Sequence, residues 1–413
     1  MYQDFQPVIT RLANCKLCHA LVIAVIAVGT ASYWAITEQS TRTYDLDIDG
    51  WGFTVAKMQR GVPKRDALFT DPSLWKGPVV PFLFGVSFAV VPSEYAPLGF
   101  NVICFGGSAA LLYLSFRNLG ASLLLAASSV ICWILYPPYH YVFGYYYAEP
   151  LIALFSSLFL FAATRNLHPI PLGLIAGVLL LIRAPFILIT LAVPYFRAPH
   201  GPVLRWRSYV YYLIGLAAPV GLWTIRNLFV TGAFIPFTLE AGLVRFQGVF
   251  VEGDDARIAI LRATNKTFNT LEAAAPKDPV ERYRYWSRLA REEVTKNPSA
   301  QLRLLGKKIL RFWFNIPPHS WIPTGVSTFI TLLVLPAAFL GFISHYSFMH
   351  ARLCGLWIAG LWLFHSIIHA EMRYNFPILP MTFLLAGLGF SRLHQLFFSL
   401  GSGMSRSQNH QFD

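Results

Sequence analysis

Long apolar runs separated by short polar turns dominate this chain. They fall near 17–37, 78–93, 97–116, 119–136, 147–164, 170–182, 184–196, 208–225, 322–343, 351–369 and 375–396. Apolar runs of this length read as helices that cross a bilayer. Short segments of alternating polarity, which a transmembrane barrel requires, do not occur. The run 78–93 differs from the rest: it is short, rich in aromatics and interrupted by Pro78, Pro81 and Pro92. It reads as an interfacial helix lying along the membrane. The runs 170–182 and 184–196 meet at Arg183-Ala184-Pro185. A single kinked helix would strand Arg183 at mid-depth, so a hairpin of two short helices is the preferred reading. The run 17–37 is too long for a signal-peptide core and lacks a cleavage site before a soluble domain, so it is expected to remain as the first span.

Basic residues orient the spans, because short cytoplasmic loops collect Lys and Arg. With 78–93 outside the membrane, Arg11, Lys16, Arg117, Arg165, Arg197, Arg205, Arg207, Arg352 and Arg392 all fall on the cytoplasmic side, and the outer turn 137–146 has no Lys or Arg. If 78–93 crossed, Arg197–Arg207 would invert and the rule would fail. The expected fold is an all-α polytopic membrane protein of about ten transmembrane helices, with both termini cytoplasmic. Residues 1–230 form an N-terminal transmembrane module that includes a first outer loop, 38–77, and the interfacial segment 78–93. Residues 231–315 form an outer soluble loop, 316–400 the last transmembrane helices, and 401–413 a polar, disordered tail. The outer loop is net positive, which is tolerated because long loops translocate regardless of charge. Within it, Ser299–Phe314 puts Leu302, Leu305, Ile309, Phe312 and Trp313 on one side and Arg303, Lys307, Lys308 and Arg311 nearby. That pattern suits an amphipathic helix at the membrane surface, or equally one packed on the rest of the loop.

Composition agrees. Of 413 residues 55% are hydrophobic and 13% charged, against roughly 25% charged in soluble domains. The net charge of +13 comes from basic residues scattered over loops. That favours attraction to anionic lipid headgroups over nucleic-acid binding. Cys104, Cys132 and Cys354 sit in apolar runs as small hydrophobes. Cys15 and Cys18, beside His19, form a lone Cys-x-x-Cys with no second pair to complete a zinc site.

Asp45, Asp47, Asp49, Lys76, Glu149, Arg183, Arg226, Glu371 and Arg373 all fall at the outer boundary of this topology, and ionisable groups beside membrane spans point to function. Asp45, Asp47 and Asp49 alternate, so in an extended segment they face the same way. Crowded carboxylates raise one another's pKa, which suits a general base or a metal site. The competing reading is a turn in which Asp49 caps a helix starting near Trp51. Lys76 precedes the interfacial segment, where it either snorkels to headgroups or holds a phosphate. Glu149, followed by Pro150, has the form of an ordinary helix start, yet it is the only acid for a long way on either side. Before it lie His140, Tyr147 and other aromatics, which form an interface belt or a wall for stacking on a sugar. Arg183, Arg226 and Arg373 stand at outer helix ends, where Arg is uncommon, and a guanidinium grips phosphate as a fork. Glu371 is placed to pair with Arg373.

Taken in order, these segments resemble the GT-C membrane glycosyltransferases, especially the branch of protein O-mannosyltransferases and lipid A aminoarabinose transferases. Asp47 with Trp51 and Gly61 is similar to the family's first acidic motif, though Asp49 also fits. WKGP, with Lys76 and Pro78, is similar to its Lys-Pro-Pro step. AEPLIALF resembles its second acidic motif, LIRAPF its Thr-Arg-Pro turn, and LWTIRNLFVTGAFIPF its Pro-Trp-x-x-Arg-Asn…Gly…Pro stretch. KNPSAQLRLLGKKILRFW and EMRYNFPILP have counterparts too. Gly77, Ile182 and Leu222 depart from the pattern, as does Trp75, which stands where some members carry an acid. The resemblance implies a GT-C-like bundle and an inverting glycosyltransferase. It would move a sugar from a polyprenyl-phosphate donor to an acceptor hydroxyl (of a glycan, lipid or protein) on the outer face of a plasma membrane, such as the bacterial inner membrane. It implies Asp47 or Asp49 as base, assisted by Glu149. Lys76, Arg183, Arg226 and Arg373 would bind the donor phosphate, and Trp51, His140, Tyr147 and Glu371 would line the substrate. No cofactor is certain: a divalent metal is compatible with the resemblance, but with Trp75 in place of the acid the residues do not support one. A polyprenyl-lipid flippase without transferase activity is the alternative, although it would be expected to keep ionisable groups near mid-membrane.

Overall fold

The computed structural model describes residues 15–41, 52–64, 76–165, 167–197, 202–250, 266–296, 298–314, 324–370 and 372–408. Its elements there are all helical. Each apolar run becomes a helix: α1 (Lys16–Thr41), α3 (Val79–Val90), α4 (Ala96–Asn118), α5 (Leu123–Ile134), α6 (Glu149–Thr164), α7 (Pro169–Ile182), α8 (Ile187–Arg197), α9 (Pro202–Thr231), α14 (Thr324–Ser344), α15 (Met349–Ile367) and α16 (Leu379–Gln408). Between them lie α2 (Phe53–Gln59), α10 (Glu240–Val249), α11 (Lys266–Ala273), α12 (Pro279–Lys296) and α13 (Pro298–Phe314). The helix α16 reaches Gln408 and so enters the stretch 401–413 that composition reads as a disordered tail.

Among the described residues, four helical stretches are long and apolar enough to cross a membrane: Lys16–Ser40, Ala96–Asn118, Trp206–Thr231 and Arg373–Leu396. The other apolar helices are shorter. Large apolar side chains face outward, among them Val25 and Ile36 on α1, Leu222 and Phe229 on α9, and Phe339 on α14. Water would not tolerate so much exposed apolar surface, and the arrangement is compatible with an integral membrane protein.

Contacts between helices give their directions. Asn101 donates to the Tyr147 carbonyl, and Asn118 to the Thr164 hydroxyl. Hence α4 and α6 run the same way, with α5 returning between them. At one end of α1, His19 meets the Tyr113 hydroxyl; at the other, Gln39 donates to the Gly144 carbonyl. So α1 runs against α4. Gly173 and Gly177 of α7 face Tyr212 and Leu216 of α9, and Gly215 faces Ile170. These glycines let the two backbones touch, and their order shows α7 and α9 to be parallel. The helix between them, α8, therefore runs back. Arg183 is extended (φ −150, ψ 100) and is followed by a short 3-10 turn, Ala184–Phe186. The segment is thus the hairpin of two short helices, not one kinked helix.

The segment carrying α3 begins and ends on the same side of the bundle. Lys76 pairs with Glu240, and at the far end Tyr146 donates to the Glu94 carbonyl. Tyr146 is close in sequence to Glu149, so α3 lies across the end of the bundle that holds Glu149.

The helices α10 to α12 close on a small core of their own: Leu243, Phe246, Val249, Phe250, Phe268, Trp286 and Ala290. Asp278 caps α12, accepting from the backbone N–H groups of Val280 and Glu281. The helix α13 packs on the end of α15, where Lys308 donates to the Ile367 carbonyl and Trp362 to that of Ile309. Its buried side is Leu304, Lys308, Phe312 and Trp313, while Leu302 is 72% exposed. The apolar side expected from sequence is therefore rotated: Leu302 faces out and Lys308 faces in.

Candidate functional site

Four of the anticipated charged residues meet at the end of the bundle crossed by α3. Glu149 is the first residue of α6 and is buried. Arg373 sits in a 3-10 turn, Met372–Ile378, just before α16, and its Nε lies 3.8 Å from the Glu149 carboxylate. That turn is pinned on several sides. Trp133 donates to the Phe376 carbonyl, Asn375 donates to the Phe312 carbonyl, and Tyr139 hydrogen-bonds the Asn375 side chain. Buried polar groups with satisfied partners fix a single geometry, so Arg373 and Tyr374 are held in place from α5, α13 and the 137–143 turn.

Arg183 leaves the C-terminal end of α7, half-buried, with its guanidinium carbon 4.6 Å from the centre of the Tyr374 ring. Arg373 lies 5.0 Å from the Tyr147 ring centre and 5.4 Å from that of Tyr374. Cation–π contacts of this kind hold a guanidinium flat without neutralising it. The charges of Glu149, Arg373 and Glu240 all act on Arg183, so these groups share one electrostatic neighbourhood.

Lys76 is brought there by its neighbour. A Cβ on Gly77 would collide with the carbonyl oxygen of Leu181, two residues before Arg183. Only glycine lets the backbone of the WKGP step lie against the end of α7. The Lys76 ammonium is buried and bonded to Glu240, the first residue of α10. Glu240 carries no sequence motif, and its role is visible only across the 164 residues that separate it from Lys76. Behind Tyr374, His365 stacks at 4.3 Å, and the His365 ring bonds the His369 carbonyl at 3.0 Å. Neither histidine stood out in the sequence, because each looks like one polar residue in an apolar helix.

Arg226 leaves α9 at the same end as Arg183, since α7 and α9 run parallel. Its described contacts are with Asn227 at 3.0 Å and the Trp223 ring at 5.2 Å. The LWTIRN stretch also does structural work. Trp223 donates to the Phe237 carbonyl and Asn227 to that of Ile235, while Gly232 (φ +66) ends the helix in a left-handed turn. This folds the chain back toward Glu240. Asp45, Asp47, Asp49, Trp51 and Glu371 lie outside the described residues, as does the side chain of His140.

Among the described residues, no group of three His, Cys, Asp or Glu side chains gathers as a metal would need. The cluster instead presents three cations, Lys76, Arg183 and Arg373, against two carboxylates, Glu149 and Glu240. With aromatic faces around it, such a site suits an anionic, partly apolar ligand. Comparison with protein-family models, curated proteins and solved structures finds no match to this chain.

Proposed function

We propose that the protein is an inverting glycosyltransferase of the GT-C type. It takes a sugar from a polyprenyl-phosphate donor and places it on an acceptor hydroxyl at the outer face of a membrane. The observation that carries this reading is the convergence of Lys76, Arg183 and Arg373, from three distant parts of the chain, beside Glu149 at one end of a bundle of apolar helices. The alternating directions of α1 and α4 to α9, with α3 lying across the end, support the expected ten spans with both termini in the cytoplasm, α14 to α16 supplying the last three.

In this mechanism Asp47 or Asp49 takes the proton of the acceptor hydroxyl as its oxygen attacks the anomeric carbon. The new C–O bond forms as the bond from that carbon to the phosphate oxygen breaks, and configuration inverts. The leaving polyprenyl phosphate keeps the electron pair. Lys76, Arg183 and Arg373 are placed to stabilise its growing charge, with Arg226 at the same end of the bundle. Glu149 holds Arg373 in place and orients the acceptor. The test is transfer of labelled sugar from polyprenyl-phosphate donors to endogenous acceptors in membranes. Asp47→Asn or Asp49→Asn should abolish transfer in protein that still inserts. Full activity in both variants would remove the general-base assignment.

A further inference from the structure

The pairing of Lys76 with Glu240 raises a question about the donor site. A cation meant for a phosphate already has a carboxylate on it. Both partners are held firmly. Lys76 is fixed by the Gly77 contact with the end of α7. Glu240 opens α10, and the other end of that helix is fixed where Gly248 lies against the Ile368 carbonyl, too close for any Cβ. The helix α10 also carries Leu243 and Phe246 into the core of the outer loop. Glu240 acts on Arg183 as well as on Lys76. It is therefore a built-in anion, bonded to Lys76 and within electrostatic range of Arg183.

Resting on the donor-phosphate reading above, we infer that Glu240 competes with the polyprenyl phosphate for Lys76, and so sets how fast the spent carrier leaves. The donor is a phosphodiester with one negative charge. The product is a phosphomonoester with up to two, and it binds a three-cation site more strongly. Without a competing carboxylate the product would be the tightest ligand in the cycle. As the product departs, Glu240 takes Lys76 back and offsets the cost of stripping a buried ammonium of its anion. A charge-assisted contact of this kind is worth enough to change affinity by about tenfold or more.

The test uses the full chain in neutral-lipid nanodiscs. Farnesyl phosphate is titrated as a soluble product mimic, with farnesol as the uncharged control. Glu240→Gln keeps the shape and removes the charge; it should bind farnesyl phosphate about tenfold more tightly than wild type. In the transfer assay it should lower both the donor KM and kcat, because release becomes limiting. Glu240→Asp should restore wild-type behaviour in large part. A merely structural role would instead raise the donor KM and weaken binding. Unchanged or weaker farnesyl phosphate binding by correctly folded Glu240→Gln overturns the inference. If the wild type itself binds farnesyl phosphate no better than farnesol, the donor-phosphate reading fails and the inference goes with it.

Discussion

Replacing Gly77 with alanine tests how the site is assembled with the smallest possible change. The added methyl would sit roughly 1 Å closer to the Leu181 carbonyl oxygen than van der Waals contact allows. It would also stand 3.3 Å from the carbon of the same carbonyl. The obstacle is helix backbone, which cannot rotate away as a side chain would. Relief therefore requires the 76–78 step to move off the end of α7 by about 1 Å. Overpacking of this kind costs about 1–3 kcal/mol of stability. A displacement of about 1 Å in a positioning group costs about a hundredfold in rate. Gly77→Ala should therefore insert and fold, melt a few degrees lower, and lose about a hundredfold in transfer. Gly221→Ala is the matched control, because a Cβ there meets nothing within 4 Å; its activity and melting point should stay near wild type. Sugar transfer and detergent thermal unfolding, measured on the same preparations, decide the matter. Wild-type transfer by Gly77→Ala would refute the claim that this contact sets Lys76 in the site.

Three further outcomes follow from the same geometry. Burial, reinforced by Arg311, holds the Lys308 ammonium down at about 8, against 10.5 for an ordinary lysine. The unfolded chain therefore binds a proton between those values that the folded chain does not, so stability should rise with pH from about 8 to 10.5, by on the order of 3 kcal/mol; Lys308→Met should flatten that rise in thermal unfolding scans across the window. Gly173→Ala puts a methyl into the Tyr212 carbonyl and should cost about 1–3 kcal/mol by loosening α7 from α9, read as a lower melting point and faster proteolysis between them. Asp278→Ala removes the cap of α12 and should cost the α10–α12 unit about 1 kcal/mol, measured by hydrogen exchange at Val280 and Glu281.

Much of the architecture was legible because lipid-facing helices must be apolar along their whole length, and that pattern is written locally. The break at Arg183 was legible for a similar reason: an arginine followed closely by proline is a poor continuation of an apolar helix. Pro78, Pro81 and Pro92 marked α3 as unlike its neighbours. What was not legible depends on contacts between distant segments. Glu240 sits in an unremarkable stretch of sequence at the start of α10, and only the reversal clasped by Trp223 and Asn227 carries it to Lys76. Tyr374 was overshadowed by Arg373, yet its ring lies against Arg183, Arg373 and His365 together. The rotation of α13 has the same origin. A helical wheel ranks Lys308 with the solvent-facing cations, but the Ile367 carbonyl at the end of α15 gives its ammonium a buried partner. Gly77 looked like a departure from the resembling motif, whereas its lack of a Cβ is what lets Lys76 approach Arg183.

The most direct trial of the central claim measures labelled sugar transfer from polyprenyl-phosphate donors by the wild type and by Arg183→Gln, side by side in the same membranes. The account predicts transfer with inverted configuration by the wild type, and at least about a hundredfold less by a variant that still inserts and still binds neutral farnesol. Equal turnover by the two proteins, or no transfer by the wild type from any polyprenyl-phosphate sugar offered, would contradict it.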